Sequence, residues 1–126
     1  MRSKERVKKL GEVFTPTKLV TEMLKKLPSE VWEDQSKTFL DNSCGNGQFL
    51  VAVVHAKIKC GNSSPVQALS TTFGVDIMQD NVDECKERIL SQAEKASGQV
   101  RTQEWINIVN KNIVCHDALT YDYEFK

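Results

Sequence analysis

The stretch TFLDNSCGNGQFL, residues 38–50, decides how the chain is read. Thr38, Phe39 and Leu40 make a short β-prone run that ends on the acid Asp41. DNSCGNG follows at once, a turn whose two glycines, Gly45 and Gly47, admit the positive φ angles that side chains resist. From Gln48 onward Leu50, Val53, Val54 and Ile58 recur at helical spacing, and Gly61 stands at the C′ position behind Lys57 and Lys59. The pattern is strand, tight glycine turn, helix.

The same pattern recurs downstream. TFGVD, residues 72–76, reads as a second strand, and Met78, Val82, Cys85, Ile89, Leu90 and Ala93 then mark one face of a helix that ends near Gly98. Residues 102–109 read as a short helix and NIVC, residues 112–115, as a third strand, followed by His116, Asp117, Ala118 and Leu119. GNSSP, residues 61–65, is a loop, with a helical turn over 66–70. Upstream, Thr15 can cap a helix with Pro16 at its first position, Leu19, Val20, Met23, Leu24 and Leu27 on one face, and Pro28 as its stop. A weaker helical turn is expected over 29–34. Strands alternating with helices predict parallel βαβ units in one open sheet, an α/β fold.

At 126 residues the chain suits one domain. Seventeen basic and seventeen acidic side chains cancel, which excludes a generally basic binder and a highly charged disordered tail. No apolar run approaches the roughly 18 residues of a membrane span, and the polar, basic start lacks the apolar core of a signal peptide. A cytoplasmic protein is the expectation. Residues 1–13 form a basic arm, with Arg2, Lys4, Arg6, Lys8 and Lys9 against Glu5, either a solvated start or a segment that touches phosphates. Residues 14–126 form the folded part.

None of the four cysteines makes a C-x-x-C pair, so no zinc site is expected and the thiols read as reduced, three of them as packing residues. Cys44 falls beside a helix N-terminus, where a thiol can be exposed and acidified. No base stands near it, and steric filling is the simpler role. His55 reads as a surface residue, and Trp32 and Trp105 as core or interface anchors.

Ligands of open parallel sheets collect at the carboxyl ends of the strands. Asp41, Asp76 and Asp117 stand at those places. Any one of them alone suits a turn or cap, but three together with a Gly-x-Gly turn describe a ligand site. The glycines let the backbone approach a ligand, and the amides opening the next helix suit a carboxylate. Asp41 can hold an amine, Asp76 two ribose hydroxyls and Asp117 an exocyclic amine. Amine, carboxylate, ribose and adenine together describe S-adenosylmethionine. A dinucleotide fits less well, because Leu50 replaces the third glycine of G-x-G-x-x-G and Asp76 lies farther along than the usual spacing of about 20 residues.

On these residues the chain resembles the N-terminal part of an adenine-specific N6 DNA methyltransferase of the restriction–modification type, from about Gly11 to Leu119. GEVFTP resembles the family's opening motif, which implies cofactor contacts for Phe14 and Thr15. FLDNSCGNGQFL resembles the main cofactor motif, implying roles for Asp41, Ser43, Gly45 and Gly47. FGVDI resembles the ribose-binding strand end, with Asp76 on the hydroxyls and Ile77 against adenine, and the segment with Asp117 and Ala118 resembles the one that reads the adenine edge. The implied fold is a partial Rossmann-like methyltransferase sheet, parallel strands 3-2-1 of the family's 3-2-1-4-5-7-6.

Two departures stand out. Asn42 replaces the family's proline after the first acid, a mild loss of turn rigidity. The catalytic Asp/Asn-Pro-Pro-Tyr/Phe loop is missing, since the three prolines are Pro16, Pro28 and Pro65. In the family that loop stacks a flipped adenine and aligns its amine with the methyl group. Tyr121, Tyr123 and Phe125 read as packing rather than as a substitute. No catalytic residue is therefore assigned, and the chain alone is expected to be inactive. The resemblance implies methyl transfer to adenine in DNA once the missing half is supplied. The exposed edge of the strand over 38–41 then invites a second chain or self-association. The alternatives are a stand-alone S-adenosylmethionine-binding protein that regulates or sequesters, and a nucleotide-binding subunit of another kind.

Overall fold

Three short strands, all parallel, organise the structure in the order β1-β2-β3. The computed structural model describes residues 30–120, with the backbone alone at Glu30. The elements run α1 (Glu30–Glu33), β1 (Phe39–Asp41), α2 (Gln48–Lys59), α3 (Pro65–Ser70), β2 (Thr72–Asp76), α4 (Gln79–Ser97), α5 (Gln103–Asn112) and β3 (Ile113–Cys115). The helix expected over 15–27, Phe14, Thr15, the basic arm and the aromatics Tyr121, Tyr123 and Phe125 lie outside the described residues.

Parallel neighbours need crossovers, and helices supply both of them. Phe39, Leu40 and Asp41 pair with Thr72, Phe73 and Gly74, while Gly74, Val75 and Asp76 pair with Ile113, Val114 and Cys115. Asp41 and Asp76 therefore leave the sheet at the same end. The ladder runs on past the strands, with His116 N–H donating to the Asp76 carbonyl at 2.9 Å. This is the all-parallel, helix-flanked open sheet that the alternating periods predict. Among the described residues no strand pairs with the outer edge of β1, whose Leu40 is 47% exposed.

The core forms where the helical stripes meet. Leu50, Val54 and Ile58 of α2 join Val82, Cys85, Ile89, Leu90 and Ala93 of α4, with Trp105 and Val109 of α5 closing the cluster. The i, i+3, i+4 spacing that predicts α2 and α4 thus also names their buried faces. Ser64 caps α3 by accepting from Gln67 N–H, with Pro65 at the first turn, and Thr102 caps α5 by accepting from Trp105 N–H. The last turn of α5 takes in Asn112, expected to start β3; its side-chain amide instead donates to the carbonyls of Leu69 and Ser70.

Gly61 is needed for a different reason from the one its position suggests. The left-handed residue after α2 is Asn62, at φ 54°, and Gly61 is not in that region. A Cβ on Gly61 would lie 2.2 Å from the Trp32 carbonyl oxygen and 2.9 Å from that of Lys57. The glycine is there so that α1 can close against the end of α2. Gly98, near which α4 is expected to end, is itself left-handed, at φ 73°, with its N–H on the Glu94 carbonyl.

Lys57 occupies an apolar position of α2 and is only 2% exposed. Its ammonium donates to the Lys37 carbonyl at 2.6 Å and lies 5.0 Å from the centre of the Phe39 ring, which stacks on Trp32. Burial pulls its pKa down from 10.5 to about 8, with Asp34 opposing the shift. Between those values the unfolded chain binds more protons than the folded one, so this group's contribution to stability rises with pH. Wild type is expected to gain about 2–3 kcal/mol relative to Lys57→Met as pH crosses that window. Urea unfolding at about pH 7 and about pH 10 measures it, and a difference that ignores pH refutes it.

Candidate functional site

The DNSCGNG turn is built by hydrogen bonds that reach across the sheet. Asp41 Oδ1 accepts from Ser43 N–H at 3.0 Å, bending the chain as it leaves β1. Cys44 N–H donates to the Val75 carbonyl and Gly47 N–H to the Cys44 carbonyl, each at 2.9 Å. Gly45 and Gly47 sit at φ 53° and 91°, the left-handed conformations that glycine permits. Gly47 N-caps α2 and, as a glycine, has no side chain with which to bond the amides that open this helix.

Asp76 is the hinge pin of the site. Its Oδ2 accepts from Gly45 N–H at 2.9 Å, and its Oδ1 accepts from Met78 N–H at 2.8 Å and from the Asn81 side chain at 3.3 Å. One carboxylate thereby ties the turn after β1 to the start of α4. It is 8% exposed. A carboxylate offers about four acceptor positions, so most of them are already engaged before any ribose hydroxyl arrives. Asn81, wholly buried, was not among the expected site residues; a polar side chain on the apolar face of α4 was the available signal.

Asp41 lies close enough to feel Asp76. Burial raises its pKa above the usual carboxylate value, Ser43 N–H works against that, and the Asp76 charge raises it further. Among the described residues its Oδ2 takes no hydrogen bond. Ile77, directly after β2, is 60% exposed and its carbonyl meets the Cys115 thiol at 3.4 Å. Ser43 is exposed, while Gly45 and Gly47 are buried.

Asp117 stands somewhat apart. The strand ends at Cys115, as the sequence predicts and two residues before the acid, and Asp117 Oδ1 accepts from Leu119 N–H at 2.9 Å in a surface turn that Thr120 N–H closes on the Asp117 carbonyl. Ala118 is half-buried in that turn. The structure brings Asp41, Gly45, Gly47 and Asp76 together, and it leaves Asp117 exposed one residue beyond the β2–β3 ladder.

The cysteines give one expected outcome and one correction. Cys44 fills space as expected: it is 4% accessible, and a hydrogen bond with the Cys85 thiol, together with burial, pushes its pKa far up. It is a packing thiol, not an acidified one. Only two thiols, Cys44 and Cys85, are buried; Cys60 and Cys115 are exposed. His55 is exposed as expected, its Nδ1 2.9 Å from the Gln92 amide, and both tryptophans are core residues. Among the described residues, no three His, Cys, Asp or Glu side chains group as a metal site, and no helix is long and apolar enough to cross a membrane.

Fold and site together define an α/β chain with a glycine turn at the carboxyl edge of a parallel sheet. Comparison with protein-family models, with curated proteins and with solved structures finds no match.

Proposed function

We propose that this chain is the S-adenosylmethionine-binding portion of a DNA adenine-N6 methyltransferase, with the rest of the catalytic domain supplied by a complementary chain or segment. One observation carries the reading above the others. A turn with two left-handed glycines joins β1 to α2 and hangs by Gly45 N–H on the acid that ends the neighbouring strand. A buried polar turn of this kind, leading straight into a helix N-terminus, suits a zwitterion.

The residues fit such a cofactor in their chemistry. Asp41 Oδ2 would take the methionine ammonium and the amides opening α2 the carboxylate. Asp76 would offer its remaining acceptor capacity to the ribose, and the exposed Ile77 side chain would face the adenine ring, with Asp117 and Ala118 at its edge. Ser43 would border the methionine end, and Phe14 and Thr15 would close over it by the family resemblance. The bound cofactor supplies an electrophilic methyl group. This chain's residues hold and orient it and shield it from water, while alignment of the adenine amine is left to the complementary half. The outer edge of β1, with which no strand pairs among the described residues, suits the docking of that half.

Calorimetry with S-adenosylmethionine tests the reading. Wild type is expected to bind with a dissociation constant on the order of micromolar, and Asp41→Asn, which removes the charge facing the ammonium, to bind about tenfold more weakly. Absence of binding by folded wild type would overturn it. Methyl incorporation into DNA by the chain with its complementing half separates the transferase from a sequestering protein.

A further inference from the structure

We propose that Arg88 is the positioning residue of the glycine turn, holding the Asn46 peptide and the first residue of α2 in one fixed relation to α4. Its Nη1–H donates to the Asn46 carbonyl at 3.1 Å, and its Nη2–H donates to Gln48 Oε1 at 2.9 Å. Those acceptors lie on either side of Gly47. Among the described residues no carboxylate pairs with this guanidinium. A fork-shaped cation directed at two neutral oxygens contributes geometry, because the planar group fixes both acceptors at once.

The turn needs such a clamp. Asn46 sits between two left-handed glycines, and glycine loses more backbone freedom on ordering than any other residue. The Asn46 side-chain oxygen is also buried without a hydrogen-bond partner, which favours any rearrangement that would solvate it. The bonds from Cys44 and Gly45 to β2 and from Gly47 to Cys44 fix the middle of the turn. Where the turn meets α2, Arg88 holds it. Its location follows from the packing of α4. Cys85 of that helix presses on Gly47, where a Cβ would lie 2.9 Å from its Sγ, and Arg88 is three residues further along the same helical face. The functional consequence rests on the reading above, since it is the cofactor turn that is held.

Amide hydrogen exchange and cofactor titration on the full chain test this together. Arg88→Met is expected to speed exchange at Gly45, Gly47 and Gln48 by about tenfold, with core amides of α4 unchanged and cofactor binding weakened by a similar factor. Arg88→Lys, which retains charge and one donor direction, is expected to fall between the two. A residue with a merely structural role would speed exchange across α2 and α4 alike and lower the melting temperature in proportion. Unchanged exchange at the turn in Arg88→Met, or in Gln48→Ala should that variant alone fold, overturns the proposal. If folded wild type binds no S-adenosylmethionine, the cofactor reading fails while the exchange data still decide the role of Arg88.

Discussion

Asp76→Ala is expected to destabilise the chain by about 3 kcal/mol, because two buried donors and one half-buried donor lose this acceptor at once. Gly45 N–H, Met78 N–H and the Asn81 amide all converge on this carboxylate, and alanine offers them nothing. On the scale of a small domain's total stability of about 5–15 kcal/mol, that is a large fraction. The melting temperature should fall by roughly 10 °C or more. Asp76→Asn keeps one acceptor oxygen but turns an N–H toward a donor, and should fall between wild type and alanine. On the proposed reading, loss of S-adenosylmethionine binding in Asp76→Ala would report a collapsed turn as much as a missing ribose contact, so circular dichroism melts must accompany every titration. An Asp76→Ala melt within about 2 °C of wild type would refute the role given to this carboxylate.

Gly47→Ala should have an effect of similar size by a different route. The residue sits at φ 91°, and an added Cβ would lie 2.9 Å from Cys85 Sγ and 3.1 Å from Cys85 Cα. The left-handed conformation costs about 1–2 kcal/mol for a side-chain-bearing residue, and overpacking adds about 1–3 kcal/mol. The backbone of α4 cannot rotate away as a side chain can, so the turn must lift off the helix and loosen the Arg88 clamp. Gly98→Ala is the control, since Gly98 is also left-handed but has nothing within 4 Å of the added atom. It should cost only the conformational share. Adding Cys85→Ala to Gly47→Ala removes the sulfur but leaves the helix backbone in place, so rescue should be partial. Equal melting shifts for Gly47→Ala and Gly98→Ala would show that the close approach to α4 is unimportant.

These two residues differ in how far their roles were legible. That Gly47 belongs to a turn requiring positive φ is written in DNSCGNG and in the helix that follows. That a helix backbone lies across from it is not, because Cys85 is far along the chain. Asp76 ends a strand whose limits, Thr72–Asp76, are those the apolar run predicts, yet its hydrogen bonds depend on where the turn after β1 comes to rest. Asp117 shows the opposite outcome. Its local turn with Leu119 and Thr120 satisfies one of its carboxylate oxygens nearby, and the strand stops short of it.

The chain's own order of residues determined the element types, the parallel α/β arrangement and the buried faces of α2 and α4, because each rests on local periodicity and on glycine, proline and capping chemistry within a few residues. Only the packed structure decided that Asp76 joins two connections, that Cys44 faces Cys85, that Gly61 admits the Trp32 carbonyl, that Lys57 is buried against Phe39 and that Arg88 spans the turn. Each of those depends on a distance between segments remote in sequence, and such distances exist only once the helices have settled on the sheet.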